Sequence, residues 1–239
     1  MPPEGFRPAS PGSPSTVLSP TCGRTRWCGG SPERGPPPLA ARTRPCGTGV
    51  DLRGEDLERG RRNARARGLA DRVEFVEESA VGTRRGPADL VLCLGASHAL
   101  STAEPPRHTT EALRELRRLV ADGGRVVLGE GFWERTPAPA ELSGMWPGAS
   151  ADDHYGLARL LDLAVDAGFR PEWTETASPA EWEEFESAYQ ADTEVWLAGH
   201  PDHPLAAETR ERLDTHRSQW LTYRGVLGIA YLTLVPVSG

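Results

Sequence analysis

Two apolar runs constrain this chain more than any other feature. Ala88-Asp-Leu-Val-Leu-Cys-Leu94 and Arg125-Val-Val-Leu-Gly129 are nearly unbroken apolar stretches of strand length. A strand that reads this way is buried on both faces, which happens when helices cover both sides of a parallel sheet. The text between them fits: the spacing predicts a helix over 109–121 with Leu113, Leu116 and Val120 on one stripe, and Asp122-Gly-Gly124 turns the chain back. Strand, helix and strand in that order make one unit of a doubly wound α/β sheet.

The alternation continues on both sides. Thr48–Leu52 reads as a short strand ending in an acid, followed by a helix over 54–67 with Leu57 and Ala64 inward and Gly68 in the left-handed closing position. Arg72–Glu77 alternates, with Val73 and Phe75 on one face. Ser150 and Asp153 suggest a capping box opening a helix that runs to Ala167, with Leu157, Leu160, Leu161 and Ala164 on one side. Arg170–Thr176 is expected as a strand. Ser178-Pro-Ala-Glu181 places Ser at the N-cap, Pro at the first helical position and Glu at the third, a strong helix start. A second helix is expected over 205–222, and the β-branched run 226–237 as a last strand.

The first 47 residues differ in kind. Residues 1–50 hold 11 of the 22 prolines, three of the four cysteines and a net charge of +4, against −7 for the whole chain. They show no sustained period of 2 or 3.6, so 1–47 is expected to be a low-complexity segment with little regular structure, and 48–239 the folded domain. The acidic balance argues against a general nucleic-acid binder. No apolar run reaches membrane-spanning length and no signal-peptide core is present, so a cytoplasmic protein with reduced thiols is expected. Cys22, Cys28 and Cys46 lack metal-ligand spacing, so no metal is expected.

Pro45-Cys-Gly-Thr-Gly49 looks like the glycine turn that cradles a nucleotide cofactor. In such a site the acid that holds the ribose follows roughly 20 residues after the turn, across a helix. Asp51 comes two residues after Gly49, so no helix fits between them, and Gly49 begins the second strand instead.

With that assignment the order and spacing of Gly49–Leu52, Asp71–Ala80, Ala88–His98 and Leu116–Gly129 resemble a class I S-adenosylmethionine-dependent methyltransferase of the small bacterial type. The resemblance implies a Rossmann-like sheet with an antiparallel C-terminal strand and a two-helix insertion (178–222) acting as a lid. It implies S-adenosylmethionine as cofactor and a small-molecule methyl acceptor. Asp51 would hold the ribose hydroxyls, with Leu52 beside it. Glu78, Ser79 and Ala80 occupy the place of the family's adenine-contacting acid and small residue, and Gly95 that of the loop after the fourth strand. The family's glycine loop has its nearest match in Val17–Trp27, which keeps Val17, Leu18, Cys22 and Gly23 but puts Ser19, Thr21 and Thr25 where an acid and two glycines are expected. A diverged loop, a missing loop and a coding-frame error upstream of Thr48 all fit. Without a first strand the second and fourth lose a shared neighbour, unless residues 15–20 supply it.

His98 is the best candidate base, since imidazole titrates near neutrality, or else a loop histidine that shapes the pocket. Glu130 and Trp133 follow the fifth strand and are expected at its mouth, Glu130 orienting an acceptor amine or hydroxyl or standing solvated. Ser97, Trp133, Trp182 and Tyr189 are the candidate acceptor contacts; the aromatics at 182, 185, 189 and 196 either wall an acceptor or pack the insertion. Two other readings stand beside this one: a remnant without a working cofactor loop, and a nicotinamide-dependent oxidoreductase. Against the latter, a chain without lysine has no Tyr-x-x-x-Lys pair.

Overall fold

The computed structural model describes residues 17–19 and 47–237. Seven strands form one sheet: β1 (Val17–Ser19), β2 (Gly47–Asp51), β3 (Val73–Glu77), β4 (Ala88–Leu94), β5 (Val120–Trp133), β6 (Phe169–Thr176) and β7 (Leu227–Pro236). Their spatial order is β3-β2-β1-β4-β5-β7-β6. The helices are α1 (Gly54–Ala66), α2 (Arg107–Leu119), α3 (Pro139–Gly144), α4 (Leu157–Asp166), α5 (Pro179–Gly199) and α6 (Ala206–Tyr223). No helix among the described residues is long and apolar enough to cross a membrane.

β2 with β3, and β4 with β5, pair in parallel as the apolar runs predicted. The C-terminal end of β5 meets the start of β7 through the Glu134 N–H donating to Val226 O at 2.8 Å. The start of β6 meets the end of β7 through the Val237 N–H donating to Gly168 O at 2.9 Å. β7 therefore runs antiparallel to both neighbours.

β1 takes the central slot between β2 and β4, but in the opposite sense. Val17 stands opposite Val50, Leu18 opposite Gly49 and Ser19 opposite Thr48, and on the other side Val17 and Leu18 stand opposite Cys93 and Leu92. Residues 15–20 were the sequence's one candidate for this strand. They supply the missing neighbour, and they do so antiparallel.

The chain divides into two compact units. The first holds the described residues up to Glu130, with Leu163–Trp173 and Leu232 onward. Its buried residues include β4 and β5 side chains (Val91, Cys93, Val126, Leu128) and Leu113 and Leu116 of α2. The second holds Gly131–Asp162 and Thr174–Tyr231. There Trp133, Met145 and Val226 form one buried cluster, and Leu197, Ala206 and Leu213 another.

The helix start expected at Ser150 differs most from the structure. The helix expected from Ser150 begins at Leu157. The Ser150–Asp153 motif forms, with Asp153 Oδ2 accepting the Ser150 N–H at 3.0 Å, but it closes a turn and also accepts from Trp146 Nε1 at 3.1 Å. By contrast, Ser178 and Glu181 make the expected reciprocal capping box on α5.

Candidate active site

The strand register brings three chain segments to one edge of the sheet. Val50 and Cys93 both stand opposite Val17, and Cys93 stands opposite Leu128. One residue further on, Asp51, Leu94 and Gly129 therefore end at the same level, at the carboxyl ends of β2, β4 and the paired part of β5. Ligands of open α/β sheets gather outside this edge.

Asp51 is only 4% exposed, and its Oδ1 accepts the Arg53 N–H at 2.9 Å. The next residue, Leu52, leaves 69% of its surface open. An open leucine beside a buried acid offers an apolar face and a polar grip at one spot. After β3, the Glu78 N–H donates to Asp51 O at 3.1 Å, tying the two strand ends together. The Glu78 carboxylate is engaged within its own loop: it accepts from Thr83 Oγ1 at 2.8 Å and Arg85 Nη2 at 3.1 Å. Arg85, and after it Thr83, hold this carboxyl below the usual range. Ser79 Oγ accepts the Val81 N–H at 3.2 Å, and Ala80 is buried.

Gly95 follows β4 with a left-handed backbone (φ 62°), which a side chain would strain, and its N–H donates to Gly129 O at 2.8 Å. That turn leads into the single 3-10 turn Ser97–Leu100. Ser97 is buried, and its hydroxyl hydrogen-bonds the Glu130 carboxyl. Glu130 is not a solvated loop residue: it is 5% exposed. Burial pushes its carboxyl up to about 7, with the Ser97 hydroxyl opposing the rise. Its charge in turn adds to the burial that pushes the Cys93 thiol up to about 12.

His98 lies exposed in the 3-10 turn. The histidine that reaches Glu130 is a different one. His108, near the start of α2, is 7% exposed and places Nε2 4.0 Å from Glu130 Oε1. Burial, and then the neighbouring His98, lower its basicity. The sequence reading missed His108 because it began the helix at residue 109. The signal was present in Pro105-Pro106, which ends an extended segment just before α2.

In the second unit, Trp133 is buried, donates Nε1–H to Ala151 O at 2.8 Å and stacks on Trp146 at 6.2 Å between centroids. Trp182 sits near Tyr223 at 6.0 Å and lines a cavity of about 150 Å³ with Trp220 and Tyr223. Tyr223 donates its hydroxyl to Glu186 Oε1 at 2.6 Å, and His216 Nε2 lies 2.7 Å from the other carboxylate oxygen. Neither Glu186 nor His216 stood out in the sequence. Phe185 of the aromatic series points to solvent, 64% exposed. Tyr189 lies in the same helix, α5. Cys22 and Gly23 fall outside the described residues. Ser19, three positions before Cys22, pairs at the amino end of β2, away from Asp51.

The chain is similar to known proteins in sequence and in fold. The family described as "Methyltransferase domain" matches residues 34–128. An uncharacterised protein of Escherichia coli (strain K12), YjhP, is 26% identical over 178 residues, covering 74% of this chain and 69% of its own. The crystal structure of YjhP superposes with a TM-score of 0.63 at 26% identity, over 79% of this chain and 76% of that one. A methyltransferase from Geobacter sulfurreducens, solved with S-adenosyl-L-homocysteine, gives a TM-score of 0.65 at 25% identity, over 79% of this chain and 74% of its own. A Thiobacillus denitrificans methyltransferase solved with the same compound gives 0.64 at 25% identity, over 79% and 75%. A methyltransferase-domain match from β2 into β5, together with these superpositions on methyltransferases solved with S-adenosyl-L-homocysteine, makes the chain similar to the class I S-adenosylmethionine-dependent methyltransferases in sequence and in fold.

Proposed function

We propose that this chain transfers a methyl group from S-adenosylmethionine to a small-molecule acceptor at the carboxyl edge of β2, β4 and β5. The observation that carries the reading is the buried Asp51 beside the open Leu52, level with Leu94 and Gly129, with Gly95 and Glu130 one residue on. The solved relatives named above hold S-adenosyl-L-homocysteine, which supports the cofactor's identity.

The residues present fit the nucleoside end of that cofactor. A buried carboxylate has acceptor capacity for ribose hydroxyls, and Leu52 has an apolar face for a base. Glu78 is the weaker adenine contact of the segment, because Arg85 and Thr83 engage it. Backbone of the Gly95 turn has no Cβ to keep a ligand away.

S-adenosylmethionine supplies an electrophilic methyl carbon whose bonding pair leaves with sulfur. The chain's part is to bind, orient and handle a proton. Ser97 fixes the Glu130 carboxyl, and burial makes that carboxyl basic enough to accept a proton near neutrality. His98 is the second candidate for that role. Of the acceptor contacts expected from the sequence we keep Ser97, which lies beside Glu130.

The test is calorimetric titration with S-adenosylhomocysteine, with NADH as control. Saturable binding to the homologue, weakened about 10- to 100-fold by Asp51→Ala, is the expected result, since a hydrogen bond to a charged group is worth roughly 1.5–3 kcal/mol. No binding by a folded chain, or binding unaffected by Asp51→Ala, would overturn it.

A further inference from the structure

We propose that His108 and Glu130 form one proton-exchanging pair, and that it serves an acceptor whose reacting nitrogen or oxygen carries a hydrogen. The inference rests on the methyl-transfer reading for its chemistry, and on geometry for the pair. As whole residues His108 and Glu130 are 7% and 5% exposed, and Nε2 stands 4.0 Å from Oε1. Each also keeps one buried polar atom without a hydrogen-bond partner: Glu130 Oε2 and His108 Nδ1. Buried polar atoms are nearly always paired, so two open ones on a contacting pair at the ligand edge of the sheet ask for a partner. In the ionised, proton-accepting form of Glu130, Oε2 takes a hydrogen bond from its partner. A tertiary amine or a thioether has no hydrogen to offer and would leave that oxygen unmet, whereas an amine, hydroxyl or phenol satisfies it.

The surroundings suit proton exchange. Ser97 and His98 face the pair from the 3-10 turn, Cys93 from β4, and Thr109 from α2, its Oγ1 3.4 Å from His108 Nε2. Glu111 of α2 is engaged with Ser101. No arginine is among these groups to hold Glu130 permanently ionised. As the acceptor's nitrogen or oxygen forms its bond to the methyl carbon, its N–H or O–H bond breaks. The electron pair stays on the acceptor atom and the proton goes to Glu130. His108 is a positioning residue: it sets how readily Glu130 takes and releases that proton.

The deciding experiment needs no acceptor. Carbon-13 NMR titration follows the Glu130 carboxyl and the His108 imidazole in the wild type, His108→Gln and Glu130→Gln, with S-adenosylhomocysteine binding measured in parallel. Coupled groups shift each other, so each midpoint is expected to move by about one pH unit when its partner is replaced. His108→Asn gives the same readout should the Gln variant not fold. Midpoints that ignore the substitution overturn the pair. Labelled methyl transfer to a panel of primary amines, phenols, tertiary amines and thioethers tests the acceptor class. Turnover confined to N–H and O–H acceptors, slowed about 100-fold by either substitution, supports it; methylation of the tertiary amine or thioether overturns it. Failure of the wild type to bind S-adenosylhomocysteine would instead remove the methyl-transfer reading, and the titration would still judge the pair.

Discussion

Ser19 stands opposite Thr48, so β1 meets β2 head to tail in the middle of the sheet. Its neighbour Leu18 lies between Gly49 and Leu92, a fully flanked backbone position. Proline there removes a donor and puts a ring where strands on both sides need contact. We expect Leu18→Pro to lower unfolding stability by about 3 kcal/mol. Urea unfolding followed by tryptophan fluorescence measures it; an unchanged midpoint would mean that β1 does not complete the sheet.

Glu130 links stability to pH. Its folded carboxyl titrates near 7 against a usual 4.5, raised by burial. A raised group favours the folded state below its unfolded value and loses that advantage as pH rises through the folded one. Between pH 5 and pH 8 the wild type therefore loses roughly 2–3 kcal/mol that Glu130→Gln keeps. Unfolding free energies of both proteins at the two pH values give the difference. A constant offset across the range would contradict the burial argument.

Tyr223 and His216 together satisfy Glu186, which is 1% exposed. Burial and the carboxylate hold the Tyr223 phenol well above its ordinary range. Tyr223→Phe keeps the ring and leaves one buried carboxylate oxygen without its donor. The expected cost is roughly 1–3 kcal/mol. Chemical unfolding of this variant beside the wild type checks it, and equal stability would show the oxygen finding another donor.

Gly124 is a position where backbone meets backbone. A Cβ there would lie 2.8 Å from Asp89 O and 2.9 Å from Ala121 O. Gly124→Ala must push strands apart where β5 leaves its turn, at a cost of about 1–3 kcal/mol. Thermal unfolding reads it directly, and a wild-type midpoint would place the approach further apart than 2.9 Å.

Much of the sheet was legible in the sequence because its signals are local. The unbroken apolar runs became β4 and β5, the Ser178–Glu181 motif capped α5, and Gly68 closed α1 with φ 66°. What was not legible depends on partners distant in sequence. Strand sense is one such property: Val17–Ser19 reads the same whether parallel or antiparallel. Helix onset is another. The Ser150–Asp153 hydrogen bonds exist, but Trp146 shares the Asp153 carboxylate and the chain turns instead of coiling. The same holds at the site. Asp51 followed from its place after a strand, whereas the approach of Glu130 to His108 brings together side chains of β5 and α2 that lie 22 positions apart. A lone histidine before a helix says nothing of that.

The position of β7 governs when this fold can finish forming. Among the described strands β6 neighbours β7 alone, and β7 is made after α5 and α6. During synthesis β2, β3 and β4 can pair early, while one long side of β5 waits with its amide and carbonyl groups unclaimed. Such an open edge is the kind that captures other chains. The acid-rich first helical stretch of the insertion, Glu181, Glu183 and Glu184, leaves the ribosome during that interval. A nascent chain arrested before Leu227 should accordingly associate with chaperones, and release of the last strand should end that association in a single step.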